Sequence, residues 1–202
     1  MAILQPSLFP MPVAWALPPG FLYCPEVITP EDERRLLNRI VDLPFKEFQF
    51  HGFEGKRRVV SFGWRYDFSE HKALPAGPIP DFLLETHRSV QAASGFALPD
   101  LAQVLVTEYA PGAPIGWHKD RPFFDDVMGL SLASACNFRL RKPLDERKWQ
   151  RVSLRLEPRS AYLLRGAARQ EWEHSIPPVE SLRYSVTFRN LRSPARTAAS
   201  FA

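Results

Sequence analysis

Beyond residue 100 the chain divides into short segments in which apolar and polar residues alternate, and this period-two pattern restricts the fold more than any other feature. Residues 102–109, 128–141, 152–156, 160–165 and 182–190 each read as a strand, with turn-rich stretches between them. Residues 56–68 read the same way, because Val60, Phe62, Trp64, Tyr66 and Phe68 fall at alternate positions. Two helices precede the main run. Thr29 caps the first, with Pro30 at the first helical position, Glu31 and Asp32 in the opening turn, and Leu36, Leu37, Ile40 and Val41 on one face. The second spans about 81–94, buries Phe82, Leu83, His87 and Val90, and stops at Gly95. The fold class expected is α+β, mainly β, with helices covering an antiparallel structure closed as a barrel or double sheet. An alternating βαβ fold is not supported by the order of elements.

Composition narrows the functional classes. With 202 residues, 45% hydrophobic and 24% charged, the chain fits one globular domain and is neither disordered, collagenous nor coiled-coil. Its 20 prolines favour short elements joined by turns. Cys24 and Cys136 are too few for a disulfide framework or a four-thiolate zinc site, so a reducing, cytoplasmic setting is expected. No apolar run reaches the ~18 residues of a membrane span, so no membrane partner is expected. The stretch 1–21 is apolar, lacks a basic start and is broken by five prolines, which reads as a strap packed on the domain. The net charge of +4 permits a polyanionic partner.

The chemistry sits in Gly116-Trp117-His118-Lys119-Asp120 and Glu173-His174-Ser175. Residues i and i+2 of an extended segment project to one side, so His118 and Asp120 can present an imidazole and a carboxylate to one point. His174 can supply a second imidazole once antiparallel strands return the chain to the same mouth. Two imidazoles and a carboxylate form the facial triad of non-haem Fe(II) oxygenases, which leaves three positions open. The strand 183–189 adds a polar face of Arg183, Ser185, Thr187 and Arg189, opposite Tyr184, Val186 and Phe188. If the polar face points inward, its cations need anionic partners, and the planar fork of Arg suits a carboxylate. Six residues along a strand separate the two arginines by roughly 20 Å, so they serve different ends of a site.

Together Tyr109-Ala110-Pro111-Gly112, Ile115, His118-x-Asp120, His174 and Arg183-x5-Arg189 resemble the AlkB family of Fe(II)/2-oxoglutarate-dependent dioxygenases, over about residues 20–192. The resemblance implies a double-stranded β-helix, or jelly-roll, core over about 101–192. Before it would come an N-terminal strap, covering helices and a nucleotide-recognition lid over about 1–100, and after it a tail at 193–202. It further implies Fe(II), 2-oxoglutarate and O₂ as cofactor and cosubstrates. His118, Asp120 and His174 would ligate the metal, Tyr109 and Arg183 would hold the distal carboxylate, and Arg189 would support the metal end. Thr107 stands where many members have Asn, and Ser185 where some do; both keep a hydrogen-bonding group but shorten it. Ser131 falls where some members line the cosubstrate pocket.

The family chemistry implied is oxidative demethylation of N-alkylated bases, with the methyl lost as formaldehyde. Lys56-Arg57-Arg58 leading into Phe62, Gly63, Trp64 and Tyr66 offers cations for phosphates and aromatics for an extruded base, and Arg121 adds charge beside Asp120. The same aromatics could instead form the buried face of a sheet. Arg139, Arg141, Lys142, Arg147, Lys148 and Arg151 form a further basic run that reads as a solvated face. Segments around residues 57–64 and 115–132 look closest to the branch with animal enzymes acting on tRNA wobble uridine. With no appended RNA-binding or methyltransferase domain in these residues, methylated DNA is expected first and RNA second, for a monomer. The alternatives are hydroxylation of a tRNA base or a protein, and a non-catalytic nucleic-acid-binding module. Gly129-Leu130-Ser131-Leu132-Ala133 resembles a nucleophile elbow but lacks the final Gly and the strand-turn-helix context.

Overall fold

The structure is a computed structural model that describes residues 16–50, 53–67 and 72–192, with the side chains of 48–50, 53–55, 65–67 and 72–73 outside the description. Most of the N-terminal strap, Phe68 and the tail at 193–202 therefore lie outside the described residues. The strands are β1 (Phe21–Cys24), β2 (Lys46–Phe50), β3 (Phe53–Asp67), β4 (Lys72–Pro75), β5 (Leu101–Tyr109) and β6 (Ile115–His118). They continue as β7 (Phe124–Leu132), β8 (Cys136–Pro143), β9 (Trp149–Leu156), β10 (Ala161–Leu164), β11 (Glu173–Ile176) and β12 (Arg183–Leu191). The helices are α1 (Pro30–Ile40), α2 (Asp81–Ser94) and α3 (Gly166–Gln170).

Local chemistry accounts for the helix boundaries. At the start of α1 the Asp32 amide donates to Thr29 Oγ1 at 3.1 Å while the Thr29 amide donates to Asp32 Oδ2 at 3.3 Å, a reciprocal cap. Leu36 and Ile40, four residues apart, form its buried stripe. Val41, expected on that stripe, is the C-cap and is 55% exposed, because the chain leaves the helix before it can turn inward. α2 buries Leu83, His87 and Val90 and ends on Gly95 in the left-handed conformation.

Two antiparallel sheets face each other as a jelly roll. The larger runs β1-β10-β7-β12-β5-β3-β2, with β4 paired to β3, and the smaller runs β6-β11-β8-β9. The large sheet is covered on both faces. Toward the helices, Val104, Val106, Val186, Phe188, Met128 and Leu130 pack with Leu36, Ile40, Leu83 and Val90. Toward the small sheet, Val127, Tyr162 and Leu164 pack with Phe138, Leu140, Leu156 and Ile176. One expected strand, 128–141, is two: β7 ends at Leu132, Ala133 takes φ 69°, and β8 begins in the other sheet. Ala133, Ser134 and Ala135 carry no Gly, Pro or Asn to announce that turn. In β3, Gly63 has φ +78°, and a Cβ there would lie 2.2 Å from the Ala102 carbonyl oxygen, so the strand can bend at this point only as Gly.

Candidate active site

Between the sheets, β12 and β5 present one continuous polar face. Register pairs Arg183 with Tyr109, Ser185 with Thr107, Thr187 with Leu105 and Arg189 with Gln103, and Ser185 also stands opposite Ser131 on β7. Strand alternation sends all of these to the side away from the helices. Across the cavity, β6 and β11 pair His118 directly with His174, and their ring centroids are 4.2 Å apart. Asp120 follows β6 by two residues and brings Oδ2 to 3.7 Å from His174 Nε2. The three residues whose spacing suggested a triad thus converge at one end of one cavity, which Thr107, Tyr109, Ser185 and Arg189 also line.

Hydrogen bonding sets the state of each group. His118 Nδ1 lies 2.9 Å from the Gly116 carbonyl, which can only accept, so Nδ1 carries the proton and Nε2 keeps its lone pair. Burial pushes His118 below its ordinary pKa and, with the neighbouring His118 ring, drives His174 down to about 3; both imidazoles are neutral near pH 7. For Asp120 burial works the other way, but the Arg189 guanidinium, with His174, Arg169 and His118, outweighs it and holds the carboxyl well below the carboxylate range. Arg189 donates to Asp120 Oδ1 from Nη2 at 2.7 Å and from Nε at 3.1 Å, and its Nη1 donates to Gln103 Oε1 at 2.9 Å. Asp120 Oδ2 is buried and has no hydrogen-bond partner among the described residues. Two lone-pair imidazoles beside an ionised carboxylate with an unused oxygen make a donor set that fits a divalent metal ion.

Behind the Tyr109 ring, which lines the cavity, lies Arg183, which is 0% exposed. Its Nη2 donates to Ser131 Oγ at 3.2 Å and its guanidinium carbon lies 5.1 Å from the Tyr109 ring centroid. Nε and Nη1 have no hydrogen-bond partner among the described residues. A buried cation with two idle donors fits the carboxylate of a small diacid.

Other expected residues go elsewhere. Arg57 stands opposite Tyr109 on β3, on the site side of the sheet, and burial lowers its pKa. Arg58 faces the helices instead: its Nε and Nη2 donate to Glu108 at 2.7 and 2.8 Å, and Tyr184 Oη donates to the same carboxylate at 3.0 Å. Phe62 packs into the helix-side core. Both placements correct the expectation that these residues meet substrate; alternation puts 58 and 62 on the face opposite 57. Trp64 is half-buried and its carbonyl accepts from Gln103 Nε2 at 2.7 Å. The Tyr66 side chain lies outside the described residues. The Arg121 carbonyl accepts from Arg169 Nη2 at 2.6 Å.

Two residues of the site, one behind its wall and one in it, escaped the sequence reading. Gln103 is buried and, besides holding Arg189, bonds Ser61 Oγ at 2.9 Å, which ties the metal end to β3. Tyr162 reaches the cavity because Gly129, opposite it on β7, leaves room: a Cβ there would come within 2.3 Å of the ring. A lone Gly facing a Tyr at strand spacing was the available signal.

Comparison with known proteins agrees with this geometry. Residues 20–189 match the 2OG-Fe(II) oxygenase superfamily. The chain is 28% identical over 190 residues to uncharacterized protein L905 of Acanthamoeba polyphaga mimivirus, covering 85% of each. It is 30% identical over 171 residues to the Mus musculus tRNA (carboxymethyluridine(34)-5-O)-methyltransferase ALKBH8, covering 81% of this chain but only 25% of the mouse protein. The solved structure of OsALKBH1 superposes with a TM-score of 0.63 at 18% identity, covering 87% of this chain and 100% of that one, a likeness of fold. The chain belongs to the 2OG-Fe(II) oxygenase superfamily and, within it, to the AlkB family of dioxygenases, which use Fe(II), 2-oxoglutarate and O₂.

Proposed function

We propose that the protein removes N-alkyl groups oxidatively from bases in nucleic acid, with methylated DNA as the first substrate class and RNA as the second. In this reading His118, Asp120 and His174 hold the iron, while Arg183 and Tyr109 hold the distal carboxylate of 2-oxoglutarate. The observation that carries it is a cavity with an idle carboxylate oxygen on Asp120 in its wall and, packed against the Tyr109 ring of the same wall, a buried Arg183 with two guanidinium nitrogens lacking a hydrogen-bond partner among the described residues. When bound, iron and 2-oxoglutarate supply the oxidation: one atom of O₂ enters the succinate left after loss of CO₂, and the other enters the alkyl C–H, whose carbon leaves as formaldehyde.

The chain's own residues do the positioning. The Gly116 carbonyl orients His118 so that Nε2 meets the metal. Arg189 keeps Asp120 ionised and aims Oδ2 into the cavity. Thr107 and Ser185 give the cosubstrate short hydroxyl partners, Ser131 holds Arg183 behind them, and Phe138 and Ile176 exclude water. Arg57, on the site side of β3 opposite Tyr109, brings a cation toward the phosphate next to the extruded base. The name of the mouse relative, a tRNA-modifying enzyme, supports a nucleic-acid substrate.

Mass spectrometry of methylated DNA and RNA oligomers incubated with Fe(II), 2-oxoglutarate and ascorbate tests the proposal. The expected result is loss of one methylene mass from a defined base with matching succinate. Turnover of 2-oxoglutarate with every oligomer unchanged in mass, alongside oxygen insertion into a protein substrate, would overturn it.

A further inference from the structure

The outer face of the small sheet takes no part in the site. Alternation sends Phe138, Leu140, Val152 and His174 inward, so Trp117, Arg139, Arg141, Trp149 and Arg151 point outward. Arg141 lies between two indoles, 4.4 Å from the Trp117 ring centroid and 4.2 Å from that of Trp149, and its Nε donates to Glu173 at 2.6 Å. Arg139 lies 5.0 Å from Trp117, with Nε donating to Ser175 Oγ at 3.1 Å. Arg151 is exposed and stands directly opposite Arg141 on the neighbouring strand.

Sheet stability does not explain this arrangement, because like charges directly opposite each other destabilise a strand pair. Glu173 offsets Arg141. No ion pair joins Arg139 or Arg151 to a carboxylate among the described residues. The face therefore combines two available guanidiniums with two indoles held rigid by the arginine between them. It also begins at the catalytic rim, since β6 points His118 inward and the preceding Trp117 outward.

We infer that this face is a docking track for the single strand flanking the base under oxidation, with Arg139 and Arg151 on phosphates and the Trp117 and Trp149 edges against bases. Charge complementarity and the indole edges select a polynucleotide, since every base has a π-face that an indole edge can meet and phosphates supply the counter-charge. The inference rests on the nucleic-acid reading above and adds to it a second surface outside the cavity.

The test is fluorescence anisotropy of a fluorescein-labelled single-stranded 12-mer, titrated with the full chain across a salt series. Arg139→Gln combined with Arg151→Gln is expected to make the log–log salt slope shallower by about 1.4, two phosphate contacts at roughly 0.7 each for single strands. Affinity at low salt should fall at least about tenfold, with the melting temperature unchanged. Arg34→Gln with Arg35→Gln removes the same charge from exposed α1 and should leave slope and affinity as they were. An unchanged slope in the first variant, or an equal change in the α1 variant, would overturn the track. So would retained oligonucleotide affinity alongside lost binding to phosphatidylserine vesicles. An oligomer bound with the full slope yet never losing mass would instead defeat the demethylation reading and support the track alone.

Discussion

Two arginines on one face of β12, six residues apart, live in opposite circumstances. Arg189 uses Nε, Nη1 and Nη2, with Asp120 and Gln103 as partners, and its charge is matched inside the protein. Arg183 is more deeply buried and has no such match: its Nη2 donates to Ser131, the neutral Tyr109 hydroxyl and Cys136 thiol lie beside it, and Nε and Nη1 have no hydrogen-bond partner among the described residues. A buried charge is costly when uncompensated. The first arginine is therefore part of the folded scaffold, and the second is a receptor whose compensation comes from outside. The same strand thus carries a finished end, at the metal, and an unfinished end, at the diacid.

The comparison can be broken at several points. The largest effect is expected at the donor set: Asp120→Ala or His118→Ala should reduce 2-oxoglutarate decarboxylation to background, measured as succinate formed. Wild-type succinate formation in either variant would remove these residues from the metal. Next comes the finished end. Arg189→Ala leaves Asp120 buried beside no guanidinium partner of its own, which costs about 3 kcal/mol. For a chain of this size that lowers the melting temperature by roughly 6–12 °C, readable by calorimetry without cosubstrate.

Arg183→Met should behave in the opposite sense. Without cosubstrate its melting temperature should equal or exceed the wild type, because an uncompensated cation has been removed. The 2-oxoglutarate concentration for half-maximal turnover should rise about ten- to a hundredfold, about 1.4–2.8 kcal/mol. The wild-type gain in melting temperature on adding 2-oxoglutarate should disappear. If Arg183→Met were as unstable as Arg189→Ala, the distinction between scaffold and receptor would fail.

The smallest effect is expected on the far face of the same sheet. Glu108→Gln weakens the Arg58 fork and the Tyr184 bond, away from the cavity, and should cost about 1 kcal/mol given the half-exposed arginine, with catalysis unchanged. Arg58 lowers the Glu108 pKa below its ordinary 4.5. That stabilisation is therefore complete above 4.5 and fades as pH falls through the lower folded value. Urea melts at pH 7 and at acid pH should show the wild type and the variant converging; a constant difference would assign the bond no ionic part.

Some of this was open to sequence reading and some was not, for identifiable reasons. Arg183, Ser185, Thr187 and Arg189 share a face because alternation is imposed by each peptide unit, and β12 keeps it from Arg183 to Arg189 before its pairing shifts at Asn190. The cap at Thr29 and the stop at Gly95 are equally local. The break at Ala133 was hidden because no Gly, Pro or Asn marks it, and the chain leaves one sheet for the other where the side chains are all small. Arg58 and Phe62 were misplaced for a different reason. Their period was read correctly, but a period does not say which of its two faces meets the cavity.

That last distinction applies to the whole protein. Sequence alone determined which residues travel together: His118 with Asp120, Tyr109 with Thr107, Arg183 with Arg189. Tertiary structure alone decided what each set meets. Pairing β6 with β11 closed the distance between His118 and His174, Gln103 and Asp120 satisfied Arg189, and among the described residues no carboxylate was brought to the idle nitrogens of Arg183. The reason is physical. Alternation is a property of one strand's backbone, whereas the compensation of a buried charge depends on groups delivered by other strands, far away along the chain.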